Sequence, residues 1–226
     1  MNVIVFASRK GGSGKSTLTA HLASIAHKPS QPCLLIDADP QGSLTLWHRL
    51  RGTGEPALKS GARNLAETVK AAKRDGYKWV FIDTPPNLSN VVGEAMRCAT
   101  LVVIPARATV FDLMAVQETI AECRQMRKPY AVVLNAAPAR RDDQEAPVIA
   151  QARAGLARFK VPVWAGQITN RTSLAMSLAS GEGAKEFAPD SLAADEVARL
   201  WSAIRKSVDA INGAYAGAEA MHRAAA

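Results

Sequence analysis

The chain has 226 residues, 48% of them hydrophobic and 21% charged, which is ordinary globular composition and excludes a disordered polypeptide. Its 28 Lys and Arg against 20 Asp and Glu leave a formal charge of +8, which suits a nucleic acid or an anionic membrane as partner, and equally a plain soluble surface. Three cysteines, Cys33, Cys98 and Cys123, form no CxxC pair and exclude a disulfide framework, while 5% aromatics are too few for reading single-stranded bases by stacking. This length reads as one domain, 1–213, followed by an alanine-rich tail, 214–226, that is expected to fray. The longest apolar runs, Trp79 to Ile82 and Leu101 to Ile104, fall far short of the ~20 residues of a membrane span. Arg9 and Lys10 interrupt the apolar N-terminus after one strand's length, which is not a signal peptide, and a cytoplasmic protein is expected.

In chain order, Asn2 to Ala7 reads as a buried strand, Ser16 to His27 as a helix and Cys33 to Ile36 as a second strand. Gly52 to Gly61 is a loop by composition. Asn64 to Arg74 has helical spacing, Lys78 to Ile82 is a strand, Val91 to Cys98 a helix and Leu101 to Ile104 a strand. Leu113 to Gln125 is helical, Ala131 to Leu134 a strand, and Ala136 to Pro147 a charged loop or helix lead-in. Val148 to Phe159 reads as a helix, Val161 to Trp164 as a short strand and Leu192 to Ile211 as a long final helix. Continuous apolar strands are buried on both faces, and the helices between them supply parallel crossovers. The fold class is therefore α/β, a mostly parallel sheet with helices on both faces.

Between the first strand and the first helix lies Arg9-Lys10-Gly11-Gly12-Ser13-Gly14-Lys15-Ser16-Thr17. Glycines let the backbone take φ > 0 and approach a ligand, and their N–H groups then form an anion nest at a helix N-terminus. In a P-loop of this kind Lys15 reaches the β- and γ-phosphates and Ser16 is the Mg²⁺ ligand. The position five before Gly14 is Arg9 rather than glycine, so the ordinary G-x-x-x-x-G-K-[ST] pattern is not met literally; Lys10 opens the loop instead.

Two strands end in carboxylates. The second runs into Asp37-Ala38-Asp39-Pro40-Gln41-Gly42, where two acids at i and i+2 lie on the ligand edge of a parallel sheet and could approach Mg²⁺ or a water, or simply form a turn. The third runs into Asp83-Thr84-Pro85-Pro86, and an Asp there, after a P-loop, is a Walker B acid holding Mg²⁺ through water or through Ser16. Asn135 ends the strand Ala131 to Leu134, and its amide could serve a purine edge or cap a turn.

The K-G-G-x-G-K-[ST] form of Lys10 to Ser16, with D-x-D-P-Q at Asp37 to Gln41 and D-T-P-P at Asp83 to Pro86, resembles the deviant Walker A P-loop ATPases of the ParA/MinD family, from Val3 to about Ser207. That resemblance implies ATP and Mg²⁺ as cofactors, bound by Lys10, Gly11, Gly12, Ser13, Gly14, Lys15, Ser16 and Thr17. It implies that Lys10 reaches the partner's nucleotide in an ATP-bound homodimer, that Asp39 orients the attacking water, and that Asn135 contacts adenine. Asp37 is then the weaker metal candidate behind Ser16 and Asp83. Within the family the motif forms lie nearest to short, single-domain ParA-like members, which bind double-stranded DNA without sequence preference and position plasmids, chromosomes or protein complexes with a ParB-like or adaptor partner. This implies a nucleoid-associated protein. The tail offers Met221 as its sole large aliphatic side chain, which argues against a membrane-binding helix of the MinD kind. The candidate DNA contacts are Arg171, where relatives carry an arginine used for DNA, and Arg199, Arg205 and Lys206 on the last helix, with a basic middle region of Arg140, Arg141, Arg153, Arg158 and Lys160. The rival expectations are a biosynthetic ATPase activating a small carboxylate, and a MinD-like positioning ATPase on a membrane or protein scaffold.

Overall fold

Alternate residues of a strand point to opposite faces of its sheet, and here both faces are apolar. Val3, Val5, Leu34, Ile36, Val80, Ile82, Val102 and Ile104 go to one core, while Ile4, Phe6, Leu35, Phe81 and Val103 go to the other. The computed structural model describes residues 1–61, 63–87, 89–142 and 144–224, with side chains as far as 216. Its strands are β1 (Asn2–Phe6), β2 (Cys33–Asp37), β3 (Ala57–Ser60), β4 (Trp79–Asp83), β5 (Leu101–Ala106) and β6 (Tyr130–Leu134). Its helices are α1 (Lys15–Ala26), α2 (Ser43–Arg51), α3 (Leu65–Arg74), α4 (Asn90–Cys98), α5 (Val110–Gln125), α6 (Pro147–Ala157), α7 (Thr172–Ala179), α8 (Ala184–Phe187) and α9 (Leu192–Ala224).

The strands form one sheet in the order β3-β2-β4-β1-β5-β6, and every ladder between them is parallel. Helices α3, α4, α5 and α6 pack on one face, and α1, α2, α7, α8 and α9 on the other. On the second face Trp201 of α9 meets Trp79 edge-on with ring centroids 4.7 Å apart, which seats the last helix against β4. A parallel sheet collects the C-terminal ends of its strands on one edge, and the order places β1 between β4 and β5. The turn after β1 is therefore flanked by the ends of both neighbours.

Several elements differ from the sequence reading. The stretch expected to be a loop, Gly52 to Gly61, contains β3, an edge strand that adds to β2. Val161 to Trp164, expected to be a strand, makes a single bridge, Val163 to Val132. α5 begins at Val110, three residues before the expected start, because Thr109 caps it. α9 continues as helical backbone to Ala224; 225 and 226, at the end of the tail expected to fray, lie outside the described residues. No helix among the described residues is long and apolar enough to cross a membrane.

Candidate nucleotide site

The loop after β1 turns on two glycines in the left-handed region, Gly12 at φ 68° and Gly14 at φ 99°. Gly14 is the N-cap of α1, which has neither a side-chain cap nor an acidic residue in its first turn. The first N–H groups of α1 are thus left for an external acceptor. Lys15 folds back over the loop. Its Nζ donates to the carbonyls of Ser8 and Lys10, each at 3.4 Å, and the residue is only 6% exposed. Burial lowers its pKa, opposed by the carboxylates of Asp83 and Asp39. Lys10 is different: its backbone is tied down, the N–H donating to the Ser8 hydroxyl at 3.3 Å and the carbonyl accepting from Lys15, but its side chain is exposed.

The carboxylates come together because β2, β4 and β1 are in register at their ends. Asp37 is the ladder partner of Asp83, and Asp83 is the partner of Phe6, the last residue before the loop. Thr84 fastens this corner, its hydroxyl donating to the Phe6 carbonyl at 2.7 Å. Asp83 is fully buried, and neither of its oxygens has a hydrogen-bond partner among the described residues. Burial pushes its pKa up to about 7; the neighbouring Ser16 hydroxyl opposes this without reaching hydrogen-bond geometry. A buried carboxyl with two orphaned oxygens beside a hydroxyl fits a hard divalent cation, which takes oxygen ligands. No group of three His, Cys, Asp or Glu that could hold a metal exists among the described residues, so Ser16 and Asp83 would hold Mg²⁺ jointly with a phosphate. Bound there, the cation would neutralise charge on the terminal phosphates.

Asp37 and Asp39 divide their work. Asp37 Oδ2 accepts from the backbone N–H and hydroxyl of Thr45, at 2.8 and 2.6 Å, and Oδ1 accepts from the Asp39 N–H at 3.2 Å. Asp37 therefore anchors the D-P-Q loop and the start of α2. Asp39 is half-buried beyond it, and its Oδ1 accepts from the Gln41 N–H at 3.0 Å. Asn135, on the far side of the loop, donates through Nδ2 to the Ser13 carbonyl at 2.7 Å. A Cβ at Gly14 would collide with this amide. Asn135 thus clamps the loop through its amide nitrogen.

One cation near the loop escaped the sequence reading. Arg107, the first residue after β5, donates through Nη2 to the Gly12 carbonyl. Its signal was available: like Asp83, it lies at the C-terminal end of an apolar strand on the ligand edge.

The expected DNA contacts are not equivalent. Arg171 is half-buried and paired with Glu196 at 2.9 Å, and the same carboxylate accepts from the hydroxyl and N–H of Thr169. Arg153 is likewise committed, to Glu145 and to the carbonyls of Trp164, Ala165 and Gly166. Arg199 pairs with Asp195 one turn away on an exposed face, where such a pair contributes little. Arg205 and Lys206 are exposed, with no ion pair among the described residues.

Residues 4–184 match the family model for the CobQ/CobB/MinD/ParA nucleotide binding domain. The chain is 30% identical over 154 residues to the chromosome-partitioning ATPase Soj of Thermus thermophilus, covering 55% of this chain and 62% of Soj. It is 34% identical over 122 residues to the maintenance of carboxysome distribution protein A of Gloeobacter kilaueensis, covering 52% of this chain and 55% of that protein. The chain thus spans between about half and three fifths of these curated relatives. Among solved structures, its fold is similar to MinD in the Aquifex aeolicus MinC:MinD complex, with a TM-score of 0.71 at 20% identity, covering 91% of this chain and 96% of that one. It is also similar to the Cyanothece McdA(D38A)-ATP complex, with a TM-score of 0.69 at 17% identity over 94% and 96% of the two chains.

Proposed function

The chain belongs to the CobQ/CobB/MinD/ParA nucleotide-binding domain family, and from that premise we propose that it is a ParA-like ATPase that positions a cargo along DNA. The observation that carries this reading is the division between two lysines of one loop. Lys15 is buried on the carbonyls of its own loop, whereas Lys10 stands exposed at the loop's edge. A buried lysine serves the phosphates of its own chain; an exposed one is free to reach the nucleotide of a second copy. In this reading two copies close face to face on two ATP molecules, with Lys10 of each completing the other's site, as an arginine finger does elsewhere. Asp39 orients the attacking water, and Asp37 holds the loop that carries it. Ser16 and Asp83 hold Mg²⁺.

Dimerisation doubles the basic surface presented to DNA and raises avidity without any new kind of contact. Arg199, Arg205 and Lys206 lie on α9, with Arg199 and Lys206 two turns apart on one side, and they are the phosphate contacts in this reading. Arg171 belongs with Glu196 and supports the fold beneath them. A ParB-like or adaptor partner that stimulates slow hydrolysis would release the dimer from DNA and so move the cargo on the nucleoid. The relatives named for chromosome partitioning and carboxysome distribution support a positioning role.

The test is binding to a random-sequence DNA duplex at low and moderate salt, with no nucleotide, ADP or ATP, and with the Asp39→Ala variant in ATP. The expected result is ATP-dependent, salt-sensitive binding that is strongest for Asp39→Ala, whose hydrolysis should fall at least about tenfold while ATP affinity is kept. Absence of DNA binding in every state would overturn the reading. A substrate-dependent ATPase indifferent to DNA would then point to the carboxylate-activating branch of the family.

A further inference from the structure

Arg107 belongs to none of the motifs that identify the site, yet its side chain touches the phosphate loop. Its Nη2 donates to the carbonyl of Gly12, 95 residues earlier in the chain. A Cβ at Gly12 would lie 2.6 Å from that nitrogen, so a side chain there would displace the tip of the guanidinium.

The base of Arg107 is held by backbone and side-chain hydrogen bonds, while its exposed guanidinium meets only the Gly12 carbonyl among the described residues. Its backbone N–H donates to Asp112 Oδ1 at 3.3 Å, and Asp112 Oδ2 accepts from the Thr109 hydroxyl at 2.6 Å. Asp112 is buried in the first turn of α5, so the connection from β5 to α5 is a closed cap with little freedom. The side chain that rises from it is exposed. A nearby acid on α5, Glu118, is taken by Arg9 at 2.8 Å.

A guanidinium has five N–H donors, and the Gly12 carbonyl accepts from one nitrogen. A phosphate oxygen is a stronger acceptor than a carbonyl, because the bond is charge-assisted and the planar fork can grip two oxygens. The sheet order also matters. β1 lies between β4 and β5, so Asp83 approaches the loop from one flank and Arg107 from the other. The loop's own N–H groups and the α1 N-terminus serve the inner phosphates. The oxygens that a triphosphate adds are the ones left for a side-chain cation.

We propose that Arg107 is a third cation of the phosphate site, supplied by the same chain, that reads the terminal phosphate of a bound nucleoside triphosphate. The assignment rests on the nucleotide reading given above, and it goes beyond that reading in making ATP-over-ADP preference a property of one residue. Lys10 would act on the partner's nucleotide and Arg107 on its own.

The experiment measures affinity of the full chain for AMPPNP and for ADP, both with Mg²⁺, in the unaltered protein, Arg107→Ala and Arg107→Lys. Arg107→Ala should weaken AMPPNP binding about tenfold and leave ADP within about twofold, as loss of a charged hydrogen bond to one phosphate requires. Arg107→Lys should recover part of the loss, because it restores the charge without the fork. Melting temperatures should agree across the three proteins, since the side chain is exposed. Equal losses for both nucleotides would show that Arg107 merely supports the loop and would overturn the proposal. So would unchanged affinity for both. Failure of the unaltered protein to bind either nucleotide would instead overturn the underlying nucleotide reading, and the two failures are distinguishable.

Discussion

Two neighbouring strands, β1 and β5, each lead into a helix at the same edge of the sheet, and their turns treat the helix N-terminus in opposite ways. The turn into α5 closes on itself: Thr109 accepts from the Asp112 N–H, and Asp112 returns the favour to the Arg107 N–H and the Thr109 hydroxyl. The turn into α1 has glycines in place of a capping side chain, and a lysine instead of an acid in its first turn. Capped N–H groups stabilise a fold; uncapped ones beside a buried cation await an anion. Of two like connections on one sheet edge, the first is left open to an anion and the second is the closed cap from which Arg107 extends to the Gly12 carbonyl.

The largest expected effect falls on the open turn. Lys15→Ala should weaken both ATP and ADP by at least about a hundredfold, measured by calorimetry, because a desolvated charge on the phosphates is lost. Affinities within tenfold of the unaltered protein would mean that the loop N–H groups suffice without it.

A smaller effect concerns two buried groups on either side of α1. His21 Nδ1 accepts from the Ala184 N–H at 3.1 Å, its Nε2 has no partner among the described residues, and burial lowers its pKa to about 4. A histidine held below its unfolded value of about 6.5 withdraws stability as pH falls from 6.5 towards 4. Asp83, raised to about 7, does the reverse: its stabilisation is full below the unfolded value of about 4 and is lost as pH rises from there to about 7. Between pH 6.5 and 5 each contribution amounts to about 2 kcal/mol, and they oppose one another. Asp83→Asn removes one of them, so urea unfolding of that variant should lose about 2 kcal/mol over this interval, a steeper loss than in the unaltered chain. A flat profile for Asp83→Asn would refute the buried neutral His21.

The smallest effect falls on the closed turn. Thr109→Ala should cost about 1 kcal/mol, or about 2–4 °C in Tm, with ADP affinity unchanged. A drop in ADP affinity without a drop in Tm would erase the distinction between the two turns.

Much of this was legible in the residue order. Five of the six strands are continuous apolar runs, and the glycine–lysine loop, Asp39 and Asp83 stand at strand ends where a parallel sheet binds ligands. The elements that escaped are short. α2 buries only Leu44 and Trp47 in nine residues, too few to reveal a helical period, and β3 is a four-residue edge strand with none of its residues fully buried. Val161 to Trp164 shows the converse: it has a strand's composition, but only one of its residues bridges to β6. Composition registers what a segment prefers and is silent on whether a neighbour is there to pair with it.

The roles of the charged side chains divide along the same line. The proposal that Lys15, Ser16 and Asp83 serve a phosphate and its metal rests on local spacing, since each lies in or beside a turn whose geometry its own neighbours set. That Asp37 is spent on Thr45, Arg171 on Glu196 and Arg153 on a run of carbonyls could be decided only in the folded chain. The same holds for Arg107 on Gly12, 95 residues apart, and Asn135 on Ser13, 122 apart. A residue's type and spacing limit the chemistry it can do. Which partner it meets depends on the strand order β3-β2-β4-β1-β5-β6, which the long-range packing of two apolar faces sets and no local pattern encodes.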